Sequence, residues 1–232
     1  MKIKNLNLPK YLLLSLIIIA SSLNFYGCEE DSIINPTTTY GYMSVYHTLA
    51  GRPNVDIEIN GTVVSSGVSY LQRLPYQQLT SGNNRLKIIA GSATVIDTTI
   101  FLSENKYYSV FVYQNGGNII PLITTDNLTS PGNTNAAVRF IHLAPGTAAL
   151  DIGADNKATP WFPFYTYGQV ADFRPVVGGV YNLYMNQAGT SSTLANLIDQ
   201  DLAAGRIYTV IAKGVPGGTG VQALGLALYQ NQ

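Results

Sequence analysis

From Tyr40 onward the chain alternates. Met43, Val45 and His47 fall on one side of an extended segment, and Tyr42, Ser44 and Tyr46 fall on the other. A period of two belongs to a half-buried strand. Val55, Ile57 and Ile59 alternate with Asp56, Glu58 and Asn60, and Asn60-Gly61 is a hairpin-type turn. The pattern predicts further strands around Leu86 and Ile88, over Thr94–Leu102, over Lys106–Tyr113 and over Ile119–Thr124. Residues 126–135 (DNLTSPGNTN) hold a single apolar side chain, and after them the plan recurs. Val138 and Phe140 alternate with Arg139 and Ile141, and strands follow around Leu150 and Ile152, over Val180–Met185 and over Gly205–Ala212. Only residues 193–202 (TLANLIDQDL) suggest a helix, and they read better as strand plus turn. Short strands separated by frequent turn signals predict β-sandwiches.

The recurrence is a tandem repeat. Residues 43–57 (MSVYHTLAGRPNVDI) laid over 138–152 (VRFIHLAPGTAALDI) place His47 on His142, Asp56 on Asp151 and Ile57 on Ile152, each pair 95 apart, and the chain has only 2 histidines. Later the offset becomes 100, Tyr108 on Tyr208 and Val110 on Val210, so the second copy has gained five residues. The segment with Trp161-Phe162-Pro163-Phe164 is the expected place for some of them. The fold expected is all-β: two tandem antiparallel β-sandwich (immunoglobulin-like) domains at 40–125 and 137–232, joined by a linker at 126–136.

Composition narrows the partners. Charged residues make up 11% and sum to zero, with no Lys/Arg stripe to neutralise phosphates, so nucleic acid is not expected. Lys2, Lys4 and Lys10 precede an apolar run from Tyr11 to Leu23, which is shorter than the roughly 20 residues of a membrane span. Cys28, the only cysteine, follows Gly27 directly, so no disulfide can form within the chain. This N-terminus resembles a bacterial (Bacteroidetes-like) lipoprotein signal. The resemblance implies a signal peptide at 1–27, an acylated Cys28, a tether at 28–39 and an outer-membrane or other cell-envelope location. The acidic run Glu29-Glu30-Asp31 resembles the surface-export signal of such lipoproteins. The membrane, reached through the lipid, is then the first expected partner.

The recurring His and Asp invite a general-base reading. Parity argues otherwise: His142 shares the apolar face with Val138 and Phe140, and Asp151 alternates with Leu150 and Ile152, which predicts an outward side chain. Neither copy offers a GxSxG motif or a second cysteine as nucleophile. His47, Asp56, His142 and Asp151 are therefore expected to be structural, each imidazole donating to a loop carbonyl and each carboxylate accepting from turn N–H groups. One His and no Cys per copy supply too few ligands for zinc, so no metal or cofactor is expected. The candidate binding surface is Trp161, Tyr165 and Tyr167, because dense aromatics can stack on sugar rings or anchor a protein. The competing reading puts Phe162, Phe164 and Tyr165 into the second core.

Val138–Ile152 and the later stretch AGRIYTVIAKG (204–214) resemble the first and late conserved stretches of the domain-of-unknown-function 4397 family. The resemblance implies an extracytoplasmic, often lipid-anchored β-protein and no known activity. The expected role is non-enzymatic binding or adhesion toward a glycan or an envelope protein. A structural spacer and a hydrolase with an unrecognised site are the rivals. A glycan binder should expose an aromatic platform, and an enzyme should hold a deep polar pocket.

Overall fold

The computed structural model describes residues 37–52, 54–155 and 159–231; the expected signal peptide, Cys28 and most of the tether lie outside them. The first repeat supplies β1 (Tyr40–His47), β2 (Asn54–Ile59), β3 (Thr62–Ser69), β4 (Arg73–Thr80), β5 (Gly82–Ala90), β6 (Ala93–Leu102), β7 (Tyr107–Asn115) and β8 (Asn118–Asp126). The second supplies β9 (Asn135–His142), β10 (Leu150–Ala154), β11 (Phe162–Tyr165), β12 (Arg174–Val177), β13 (Gly179–Gln187), β14 (Thr193–Leu202), β15 (Ile207–Lys213) and β16 (Gly225–Gln230). Residues 193–202 form one unbroken strand, kinked where Asp199 takes a φ of 53°.

Each repeat is a sandwich of two four-stranded sheets, ordered β4-β1-β7-β8 against β3-β2-β5-β6, and β12-β9-β15-β16 against β11-β10-β13-β14. β1 runs parallel to β7, and β9 runs parallel to β15, in matching registers. Met43, Val45, Val110 and Val112 meet Val55, Ile57, Leu86 and Ile88 in the first core. Val138, Phe140 and Val210 meet Leu150, Ile152, Leu183 and Met185 in the second.

The alternate residues of the same strands do not face water. Tyr46, Phe111 and Tyr113 from the first sandwich pack against Ile141, Leu143 and Ile211 from the second. The β1/β7 and β9/β15 sheets are thus buried on both faces, and from Thr38 on the chain is one compact unit of four stacked β layers. The seam has pseudo-twofold symmetry. The Gly214 N–H donates to Tyr70 Oη at 2.9 Å, and Tyr167 Oη donates to the Gln114 carbonyl. Tyr70 and Tyr167 stand in equivalent turns, each following the third strand of its sandwich, and each reaches the end of the other repeat's seventh strand.

A polar network crosses the seam beside the apolar cluster. Arg139, 2% exposed, pairs with Asp126 at 2.5 Å and donates to Thr209 Oγ1 at 2.9 Å. Asp126 also accepts from Ser109, Tyr76 and Thr124. The Arg139 guanidinium lies over the rings of Phe111 and Phe173. Burial, with the neighbouring Asp126 charge, raises the Tyr76 hydroxyl pKa far above its usual value. Asp126 closes β8, and residues 127–134 make the connection to β9.

The two ends of this block differ. The starts of β1 and β7, the connection at Asn127 and the chain's last described residue, Asn231, gather at one pole. The loops after His47 and His142, with the β7–β8 turn, gather at the other.

Candidate functional site

The two histidines build the same corner twice. In the first, the Leu49 N–H donates to His47 Nδ1 at 3.4 Å, and His47 Nε2 meets the Arg52 carbonyl at 3.2 Å. In the second, the Ala144 N–H donates to His142 Nδ1 at 3.3 Å, while Nε2 meets Thr147 Oγ1 at 3.1 Å and the Ala148 carbonyl at 3.4 Å. With Nδ1 accepting and Nε2 donating, each imidazole is neutral and its tautomer is fixed by the backbone. Burial is the larger cause that lowers both pKa values below 6.5, opposed by the loop carbonyls at Arg52 and Ala148. A tyrosine ring stands edge-on to each imidazole, Tyr70 at 5.9 Å and Tyr167 at 5.8 Å.

The aspartates fasten the next turn of chain. Asp56 accepts from the Gly67 N–H at 2.8 Å. Asp151 accepts from the Phe164 N–H at 2.7 Å and the Gly189 N–H at 2.8 Å. Parity predicted an outward Asp151. Its side chain does point away from Leu150 and Ile152, but β11 and the β13–β14 turn cover it, leaving it 6% exposed. Alternation names the side of a sheet and cannot say what later chain will lie across it.

The aromatic segment divides by role. Phe162 is buried in the second core, with Trp161 and Tyr165 half-buried against it. Trp161 stands edge-on to Tyr181 at 5.3 Å, and Tyr165 edge-on to Phe140 at 5.6 Å. Tyr167 belongs to the seam; burial is the main cause that pushes its hydroxyl pKa up to about 12. The three expected platform residues are therefore dispersed over two different packing surfaces. Phe164, assigned to the core in the competing reading, is 64% exposed.

Open cavities mark the surface of the described residues. One of about 830 Å³ lies at the pole of Tyr76, Lys106, Tyr107 and Asn231. One of about 380 Å³ lies over the seam at the opposite pole, lined by Thr48, Gln114, Pro145 and Tyr167. Another, about 510 Å³, lies beside Asp151, Pro160, Phe164 and Gly189. Among the described residues no three His, Cys, Asp or Glu side chains cluster as a metal site would need.

No curated protein matches the chain. Three solved structures are similar at a low level. The C-terminal domain of AlgF from P. aeruginosa is 15% identical, with a TM-score of 0.31 over 38% of this chain and 99% of that one. A family CBM26 module of Eubacterium rectale Amy13K, solved with maltoheptaose, is 11% identical, with a TM-score of 0.24 over 82% of this chain and 96% of that one. A leucine-rich repeat protein from Bacteroides thetaiotaomicron is 12% identical, with a TM-score of 0.21 over 74% and 26%. At these TM-scores the likenesses carry no argument. The family assignment rests on the first repeat and the opening of the second: residues 41–153, from β1 to β10, match the family described as Domain of unknown function (DUF4397), and this part of the chain belongs to that family.

Proposed function

We propose that the chain is a non-enzymatic, lipid-anchored module of the bacterial cell envelope that binds a glycan or an envelope protein. One observation carries the reading: His47, Asp56, His142 and Asp151 are all occupied by backbone groups of their own repeat. Residues that first suggest acid–base chemistry are committed to holding loops, and binding then falls to the side chains those loops present. A spacer role is the second reading, favoured by the continuous four-layer core, which makes a stiff block.

The test uses the full chain in detergent, immobilised and exposed separately to envelope polysaccharide and envelope protein fractions. Saturable retention of one fraction is expected. Retention of neither leaves the spacer. The anchor is tested by feeding cells an alkyne-tagged palmitate: the wild type should take up label and Cys28→Ala should not.

A further inference from the structure

The two repeats share a β-bulge but place different residues in it. In the first sandwich Val55 pairs with Val68 and Ile57 with Ser65, leaving a bulge at Ser66-Gly67. In the second, Leu150 pairs with Tyr165 and Ile152 with Phe162, leaving the same bulge at Pro163-Phe164. The aspartate cap falls on the same residue of each bulge, Gly67 in one and Phe164 in the other. Both adopt the left-handed conformation, with φ of 65° and 57°. Glycine enters that region freely, whereas a bulky residue there is strained. Leu71 is also left-handed but is half-buried, with its carbonyl taking the Tyr229 hydroxyl, so local contacts offset its strain. Phe164 is 64% exposed, so most of its ring surface stays in water while the Asp151 cap holds its backbone.

The second repeat has also grown at this place. Asp56 to Gly67 is eleven positions, while Asp151 to Phe164 is thirteen. Ile89 pairs with Thr94 across one hairpin, five positions on, while Asn186 pairs with Thr193 across its counterpart, seven positions on. Four of the five added residues thus lie in the two segments that carry Phe164 and the Gly189 turn. The Phe164 ring leans on that turn, with Cζ 3.5 Å from where a Gly189 Cβ would stand.

Strained residues held by their surroundings cluster at functional sites, and an exposed aromatic among them marks a candidate ligand contact. We propose that Phe164 is a stacking platform for an uncharged sugar ring, with Thr159 and Ser191 at its rim; the Thr190 hydroxyl is held by its own turn, donating to the Gln187 carbonyl and accepting from the Ser192 N–H. The assignment rests on the binding-module reading and gives it a site. Three observations select the ligand class. The lining holds one charged side chain, Asp151, and both its oxygens are engaged by backbone N–H groups, which argues against ionic ligands. Strand addition by a protein is disfavoured because β11 is an edge strand with Pro163, which has no N–H to offer. An aromatic face beside aliphatic hydroxyls suits the C–H face and the hydroxyls of a pyranose. Position agrees: the Ala149 carbonyl accepts from the Ala188 N–H beside the His142 corner, so the patch stands at the pole opposite the one where the chain enters β1.

The test is an array of neutral oligosaccharides (α- and β-glucans, mannans and galactans of six or more units) probed with the full chain in detergent. Affinity for each hit is then measured for wild type, Phe164→Gly and Phe164→Trp. The proposal expects at least one neutral hit, weakened roughly tenfold or more by F164G and kept by F164W, with the F164G melting temperature equal to or above wild type. A hit that F164G leaves intact overturns this site while the binding-module reading stands. No wild-type hit, or hits only on acidic glycans, overturns the neutral-sugar assignment. A large stability loss in F164G overturns the premise that the ring serves no packing role.

Discussion

A buried imidazole held neutral by its own loop makes stability depend on pH in a defined direction. Burial lowers the folded pKa values of His47 and His142 below 6.5, so as pH falls the unfolded chain takes up protons first. Their contribution to stability is intact above about 6.5 and is lost as pH falls through the lowered folded values. The melting temperature is expected to drop between pH 7 and pH 5. The double variant H47Q/H142Q, whose amides can still donate to the loop carbonyls, should flatten that drop. An equal slope in both proteins would remove the histidines as its cause. Replacing His142 by Ala strands the Ala144 N–H and the Ala148 carbonyl and should cost about 1–3 kcal/mol by denaturant titration.

Between elements the aspartate caps do the joining, and they are unequal. Asp151 ties two amides from separate segments, while Asp56 ties one. D151A should therefore destabilise more than D56A, by about 1–3 kcal/mol for each stranded donor. Amide exchange at Phe164 and Gly189 should accelerate selectively in D151A; uniform acceleration would mean that the cap is not local. Not all of these elements were legible in the sequence. The central strands β1, β2, β7, β9, β10 and β15 are buried and rich in β-branched and aromatic residues, so their residues announce them. β3, β4, β11 and β12 are sheet edges, and Gly67, Pro75, Pro163 and Pro175 break their pattern. The edge strands β6, β8 and β14 stay legible; an edge strand tolerates a missing N–H and a solvated face, so where Gly or Pro enters one the periodic trace can be lost at little cost. The repeated His and Asp were readable because they recur at a fixed spacing. Phe164 was not, because its meaning lies in a φ value and in a glycine 97 positions earlier.

For the whole molecule the seam decides whether a repeat can stand alone. Arg139 alternates with core residues and would read as solvent-facing, yet it is among the largest fully buried side chains, because the second face of β9 is covered by the other sandwich. Removing one partner of the Arg139–Asp126 pair leaves a buried charge, so R139A or D126A should cost about 3–5 kcal/mol. The double variant R139M/D126L should recover most of that loss; if it is as unstable as the single variants, the pair is more than an isolated charge match. A fragment ending at residue 134 would expose Tyr46, Phe111 and Tyr113 together. It should self-associate on size-exclusion chromatography, whereas a monodisperse monomer would show that the first sandwich is self-sufficient.

The two poles also set a standoff. The eight residues of β1 rise about 3.3 Å each, so the Phe164 patch and the point of chain entry are separated by about 25 Å along the strands. With the proposed anchor behind Tyr40, the block presents the patch at its far end: whatever the patch holds sits one strand's length from the point where the anchored segment joins the fold.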